Sequence, residues 1–383
     1  MNLDSDRPLF PNEEPSEEFG SGIEIEDSSG DELITKPFDP TLIRVESKQM
    51  TIDLLLTRIN EKELDLTPDF QRKAGIWKEG AQSRLIESVL IRIPLPALYM
   101  DATDEDRWLV VDGLQRLTTL KRFVLDQNLR LKGLEFLTPY EGKTFDELPR
   151  HLRRRIKETQ VTVFLIEKGT PESVKFNIFK RINTGGLPLS GQEIRHALNQ
   201  GQVTEFLSRL ATSDEFLKAT DYGIRDDRMA DRECVLRFLA FTLKPYDGYR
   251  HNDLDTFLHE TMAEINHMSK KQLYELEEQF RHSMVSAYRC FGKEAFRKIH
   301  SNQSYRSPIN KALFETWSVN LNKLNDTEMR ELLQRKFELE KGFQQLLLDR
   351  NFDSAISQGT GGVKKVRTRF GMIENLVRSV LHD

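Results

Sequence analysis

The sequence predicts an α+β amino-terminal half followed by an all-α carboxy-terminal half, and three observations carry this fold class. Runs of large and β-branched residues, 107–111 and 161–166, read as strands and occur only before about residue 210. Apolar residues at helical spacing alternate with them there. Beyond Gly201 the pattern is helical throughout.

Taken in order, residues 1–40 are rich in Glu, Asp, Ser, Gly and Pro and read as a disordered acidic tail. Ile52, Leu55, Leu56 and Ile59 then mark a helix, and residues 64–68 an extended segment ending at Pro68. A second amphipathic helix over 78–92 is stopped by Pro94 and Pro96. Residues 97–100 and 107–111 read as two strands of a hairpin across the acidic turn 101–106. Asp112-Gly113 breaks the second strand, and Leu114, Leu117, Leu120, Phe123 and Val124 give a helix to about 126. A helix over 146–157 carries the basic cluster Arg150, Arg153, Arg154, Arg155 and Lys157, and the strand 161–166 follows. Pro171 opens a helix to 182, stopped by Asn183-Thr184-Gly185-Gly186. Ser190 and Glu193 predict a capping box for a helix to 199. Helices are then expected over 205–210, 231–243, 255–267, 272–291, 307–321, 326–349 and 370–382, with a flexible loop at 359–362. The expected domains are 1–40 (tail), 41–210 (mixed) and 211–383 (helical).

The net charge of −5 is uneven: residues 1–40 hold twelve acids and two bases, leaving 49 acids and 54 bases for the rest. A tail of −10 on a body of +5 suits solubility or competition with nucleic acid for a basic surface. Cys234 and Cys290 lie far apart in apolar helical patterns and read as buried thiols of a reducing compartment. No run of eighteen apolar residues and no secretory signal pattern is present, so a cytoplasmic protein without a membrane partner is expected.

The turn at Asp112-Gly113 bears the chemistry. Opening N–H groups of a helix are unpaired and partly positive, and a cation there is disfavoured by roughly 0.3–1 kcal/mol, yet Arg116 stands in the first turn. Free N–H groups beside a guanidinium suit a phosphate. Asp112 as N-cap with Gln115 three residues on would instead form a capping box that needs no ligand. Both readings stand at this level.

Four segments occur in a telling order: Phe70-Gln71-Arg72 followed by Trp77; Asp112-Gly113-Leu114-Gln115-Arg116-Leu117-Thr118-Thr119-Leu120; Arg181-Ile182-Asn183-Thr184-Gly185-Gly186; and Pro188-Leu189-Ser190 with Gln192-Glu193-Ile194-Arg195. Together, over about residues 45–200, they resemble the N-terminal domain of GmrSD-type restriction endonucleases, which is defined by a DGQQR motif and has a ParB/sulfiredoxin-like core. The resemblance implies binding and hydrolysis of a nucleoside triphosphate (GTP, ATP or CTP), coupled to recognition of foreign or modified phage DNA in anti-phage defence. Asp112, Gly113, Gln115 and Arg116 would form the nucleotide motif, Gln71 and Arg72 would face it, and Arg181, Asn183 and Thr184 would close it. Leu114 departs from the motif but falls on the inward side of the helix, and Phe70 lacks a tyrosine hydroxyl common at its position.

Phosphoryl transfer needs neutralised charge and a positioned water. Arg116, Arg72 and Arg181 are candidates for the first, Gln71 or Gln115 for the second, and Asp112 for holding Mg2+. Surface ion pairs are the plain alternative for Arg72 and Arg181, and a helix stop for 183–186. Other chemistries fit poorly. No GxxxxGK[ST] loop is present, and His259-Glu260 lacks the second histidine of a zinc protease. Asp226, Asp227, Asp231 and Glu233 read as a solvated helix start with a Glu233–Arg237 pair rather than a metal cluster. His251, His282 and His300 make no ββα-metal nuclease pattern, and the basic cluster at 150–157 reads as a solvated face open to nonspecific phosphate contact. The leading expectation is a nucleotide-hydrolysing defence protein, with a separate nuclease subunit as a possible partner. The alternatives are a catalytically silent DNA-binding or partner-docking module and a nuclease acting through the ParB-like site.

Overall fold

The computed structural model describes residues 22–24, 43–66, 77–182, 189–224, 228–251, 253–299 and 306–382. The described residues from Ile43 to Leu189 fall in one compact unit, and residues 22–24 with the described residues from Ser190 onward fall in a second. The division therefore comes earlier than position 210. The reason is visible in the core: Val203, Phe206, Leu207 and Leu210 bury their side chains in the second unit.

The first unit is built on a five-stranded mixed sheet in the order β1-β5-β3-β4-β2. Strand β1 (Val45–Thr51) runs antiparallel to β5 (Gln160–Ile166), pairing Val45 with Ile166 and Thr51 with Gln160. Strand β5 is parallel to β3 (Leu98–Asp101), and β3 is antiparallel to β4 (Trp108–Asp112) with a register shift at Tyr99/Met100. Strand β2 (Leu64–Asp65) adds in parallel beyond β4.

Period-two alternation sends Leu98, Met100, Trp108, Val110, Val161, Val163 and Leu165 to one face. There they meet Leu55 and Leu56 of α1 (Ile52–Asn60), Ile86 and Val89 of α2 (Glu79–Leu90), Leu117, Leu120 and Phe123 of α3 (Leu114–Val124), and Leu152 and Ile156 of α4 (Arg150–Glu158). Asp101 projects to the other face, where buried Lys175 of α5 (Glu172–Ile182) pairs with it at 3.4 Å. Strand β1 has no counterpart in the sequence reading because five of its seven residues are exposed, so no buried alternation marks it.

Among the described residues the second unit holds helices and isolated bridges only. Its helices are α6 (Gly191–Leu198), α7 (Gln202–Ala211), α8 (Asp214–Ala219), α9 (Ala230–Leu243), α10 (Leu254–Asn266), α11 (Lys270–Phe291), α12 (Lys311–Asn322), α13 (Asp326–Gln334), α14 (Lys336–Leu346), α15 (Arg350–Ser357) and α16 (Val363–His382). The mixed-then-helical order matches the expectation.

Several details differ. The single helix expected over 326–349 is broken at Arg335, whose guanidinium donates to Val380 O at 2.8 Å. Helices α8 and α15 are additional, each too short to declare a period. The loop at 359–362 is held by Tyr249 Oη on Gly361 O and Arg369 Nη1 on Thr360 O, at 2.8 and 2.6 Å. Within the acidic tail, Ile23 is buried and bridges Ile309, so residues 22–24 are ordered against the second unit; the rest of 1–40 lies outside the described residues. No helix among the described residues is long and apolar enough to cross a membrane. Cys234 and Cys290 are free and buried, as expected.

Candidate functional site

Strand β4 ends at Asp112, and the chain turns at Gly113 into α3. Gly113 has φ +100°, a left-handed conformation open to glycine at little cost. It is the N-cap of α3 and supplies no side-chain acceptor. The expected capping box is therefore not formed, and the two side chains that would have made it are engaged elsewhere. Asp112 Oδ2 pairs with Arg116 Nη2, and Gln115 Oε1 accepts from Trp77 N at 3.2 Å. The first intrahelical bond is Leu117 N to Gly113 O at 2.9 Å, so among the described residues the N–H groups of Leu114, Gln115 and Arg116 have no hydrogen-bond acceptor.

Arg116 is sunk beside this turn, its side chain only 12% exposed. Nη1 donates to Pro96 O, and to Ala97 O at 3.2 Å, while Nη2 takes Asp112. Burial pushes the guanidinium below the usual arginine value, and Asp112 works against that shift. It remains cationic, because arginine starts so high. Asp112 is 29% exposed, and only its Oδ2 is engaged. The ring pair Tyr99 and Phe164 stacks at 4.9 Å on the neighbouring strands, with Tyr99 opposite Asp112 in register. Leu114, partly buried, packs against the core of the first unit.

A polar chain ties α3 to the segment before α2. Trp77 O accepts from Gln82 Nε2 at 2.8 Å, Gln82 Oε1 accepts from Arg122 Nη1 at 2.7 Å, and Arg122 Nε reaches Asn128 Oδ1 at 3.0 Å. Gln115 and Arg122 together hold Trp77, five residues beyond Arg72, against the helix that begins at Gly113. The carbonyl oxygen of Gln115 is thus engaged by a backbone N–H.

Gln71, Arg72, Asn183 and Thr184 lie outside the described residues, and Arg181 is the penultimate residue of α5. The structure thus brings Asp112, Gly113, Gln115 and Arg116 together around one turn. Sequence reasoning missed the Asp101–Lys175 pair. Asp101 Oδ1 also accepts from Thr103 N at 2.9 Å, which leaves Oδ2 to the buried ammonium and fixes the start of α5 on the sheet. Its only local signal was a lysine within an apolar helical run.

Among the described residues no three His, Cys, Asp or Glu side chains gather in a way that could hold a metal ion. In particular Glu233, read as part of a solvated helix start, is buried: its pair with Arg237 at 2.8 Å is present, but Lys311 at 3.0 Å and Arg195 at 3.7 Å crowd the same carboxylate. Asp226 and Asp227 lie outside the described residues.

No curated protein gives a significant match to the chain. Residues 53–199 match the family model described as GmrSD restriction endonuclease, N-terminal domain. That span runs from α1 through α6 and has the Gly113 turn near its middle. Over that span, which is less than half of the chain, the protein is similar to the GmrSD restriction endonuclease N-terminal domain family.

Proposed function

We propose that the first unit binds a nucleoside triphosphate with Mg2+ at the opening turn of α3 and hydrolyses it, as the nucleotide-dependent part of a restriction-type defence protein directed at DNA. One observation carries the reading. A left-handed glycine caps an eleven-residue helix without any side-chain acceptor, so three partly positive N–H groups stand open beside a half-buried arginine, inside a stretch similar to a restriction endonuclease family. The direction toward DNA rests on that family.

The residues fit such a ligand in the following way. The N–H groups of Leu114, Gln115 and Arg116 receive phosphate oxygens, and Gly113 permits the turn that aims them. Arg116 supplies fixed positive charge beside them rather than a free grip, because Asp112 and two carbonyls hold its fork in place. Asp112 keeps one oxygen for the metal, and one protein carboxylate completed by phosphates and water is an ordinary magnesium arrangement. Mg2+ supplies charge neutralisation of the phosphates when bound. With Gln115 committed to Trp77, orientation of the attacking water falls to Gln71, and Arg72, Arg181, Asn183 and Thr184 remain proposed ligand contacts.

Thermal unfolding with GTP, ATP and CTP in magnesium tests this. The preferred nucleotide at a hundred times its dissociation constant adds about 2.7 kcal/mol of stability, and phosphate release is expected from the wild type but not from Arg116→Ala. A second reading, a partner-docking module without turnover, is favoured by the full occupation of the Arg116 Nη1 fork. It prevails if no nucleotide raises the midpoint.

A further inference from the structure

Helix α4 has the sequence Arg150-His151-Leu152-Arg153-Arg154-Arg155-Ile156-Lys157-Glu158, five cations in nine residues. Leu152 and Ile156 are buried and turn the helix so that Arg150, Arg154 and Lys157 lie on its outward side. It packs against α1 and α2. Arg155 Nη1 donates to Leu90 O at the end of α2 at 2.7 Å, and Arg92 stands exposed two residues further on. The local acids answer only part of this charge. Lys157 pairs with Asp53 at 3.1 Å and Arg153 meets Asp146 at 3.5 Å, while Arg154 is 3.8 Å from Glu158 with both side chains 70% exposed. Exposed pairs of this kind are weak. Among the described residues Arg92 and Arg150 have no ion pair at all. Arg150 also stands in the first turn of a helix with no acid there and no side-chain cap, where a cation works against the helix dipole. Around α4 and the end of α2 six cations stand against three acids, with Arg150, Arg154 and Lys157 forming the outward ridge, an arrangement that folding alone does not reward.

We propose that this ridge binds the phosphate backbone of duplex DNA. The inference rests on the reading of a DNA-directed protein and adds the surface that engages it. Five of the six cations are arginines, whose planar forks match phosphate oxygens. Helix α4 carries no Phe, Tyr or Trp, and His151 is its one exposed ring on which unpaired bases could stack, which favours a duplex over single strands. It carries no exposed apolar side chain to enter a bilayer either, which argues against an anionic membrane. Recognition by such a surface is independent of sequence and steeply dependent on salt.

The test is fluorescence anisotropy of the full chain with labelled duplex DNA across a salt series, alongside single-stranded DNA, duplex RNA and anionic vesicles. Wild type is compared with Arg150→Ala/Arg154→Ala and with Arg150→Glu/Arg154→Glu. Removing two phosphate contacts is expected to reduce the slope of log affinity against log salt by about 2 and to weaken binding equally across sequences. The glutamate pair should weaken it further, while thermal midpoint and nucleotide response stay at wild-type values. Wild type that binds duplex DNA, with both variants binding as tightly, overturns the ridge and leaves the DNA-directed reading intact. Wild type that fails to bind DNA overturns both. Preference for single strands, duplex RNA or vesicles overturns the assignment to duplex DNA.

Discussion

At Gly113 the backbone and its surroundings exclude any side chain. An alanine Cβ there would lie 2.2 Å from Leu98 Cδ2 and 3.3 Å from Arg116 Nη2, at φ +100°. A left-handed alanine costs roughly 1–2 kcal/mol, and forced overpacking about 1–3 kcal/mol more. Gly113→Ala should therefore lower the unfolding free energy of the first unit in urea by about 2–5 kcal/mol, with a lower midpoint, and abolish stabilisation by nucleotide. A normal midpoint would mean that the turn relaxes freely. Arg116 poses a different question, since its fork joins Asp112 to Pro96 O and Ala97 O. Arg116→Lys keeps the charge but not the fork. It is expected to retain nucleotide binding in thermal shift while losing most phosphate release. Wild-type binding and release in the lysine variant would assign the residue to charge alone, and equal loss of both in the lysine and alanine variants would make the fork essential to binding as well.

At the scale of elements, two similar spacings have opposite fates. Ser190 and Glu193 form the capping box expected of them, with Glu193 N on Ser190 Oγ at 3.2 Å and Ser190 N on Glu193 Oε2 at 2.6 Å. Asp112 and Gln115 show the same spacing and form none. The difference is the residue between: Gly113 takes the cap position in a left-handed turn, and Arg116 and Trp77 outbid the helix for the two side chains. Local spacing was legible, whereas long-range competition for the same groups was not. The helices of the first unit were readable from their apolar period, and β3 and β4 from their hairpin. Strand β1 was not, because an exposed edge carries no alternation. Ser190→Ala should cost about 1 kcal/mol in denaturant unfolding of the second unit. Its hydroxyl also donates to Arg228 O at 2.9 Å, so a cost well below that would show the cap to be replaceable.

Over the whole molecule, what composition hides is where the charges sit. A 31% charged chain reads as a solvated surface, yet the second unit buries a connected ionic cluster. Arg195 of α6 bonds Asp255 of α10 at 2.6 Å; Glu233 and Arg237 of α9 join Lys311 and Glu315 of α12; and Glu315 pairs with Arg369 of α16. Spacing along the chain reveals only the Glu233–Arg237 part, because the other partners come from distant helices. Burial alone would raise the Glu233 carboxyl, but Lys311, Arg237 and Arg195 hold it far below the usual carboxylate range. A depressed carboxyl stabilises the fold above its unfolded value of about 4.3 and loses that contribution as pH falls through and below it. The second unit should accordingly weaken progressively below about pH 4.3. Glu233→Gln removes the carboxylate that Lys311, Arg237 and Arg195 share, so a loss of about 3–5 kcal/mol is expected at pH 7, together with a flatter decline in acid. Amide exchange in α9 and α12 at pH 7 and across the acid range measures both. Wild-type protection at neutral pH in the glutamine variant would show that the cluster holds without its central charge.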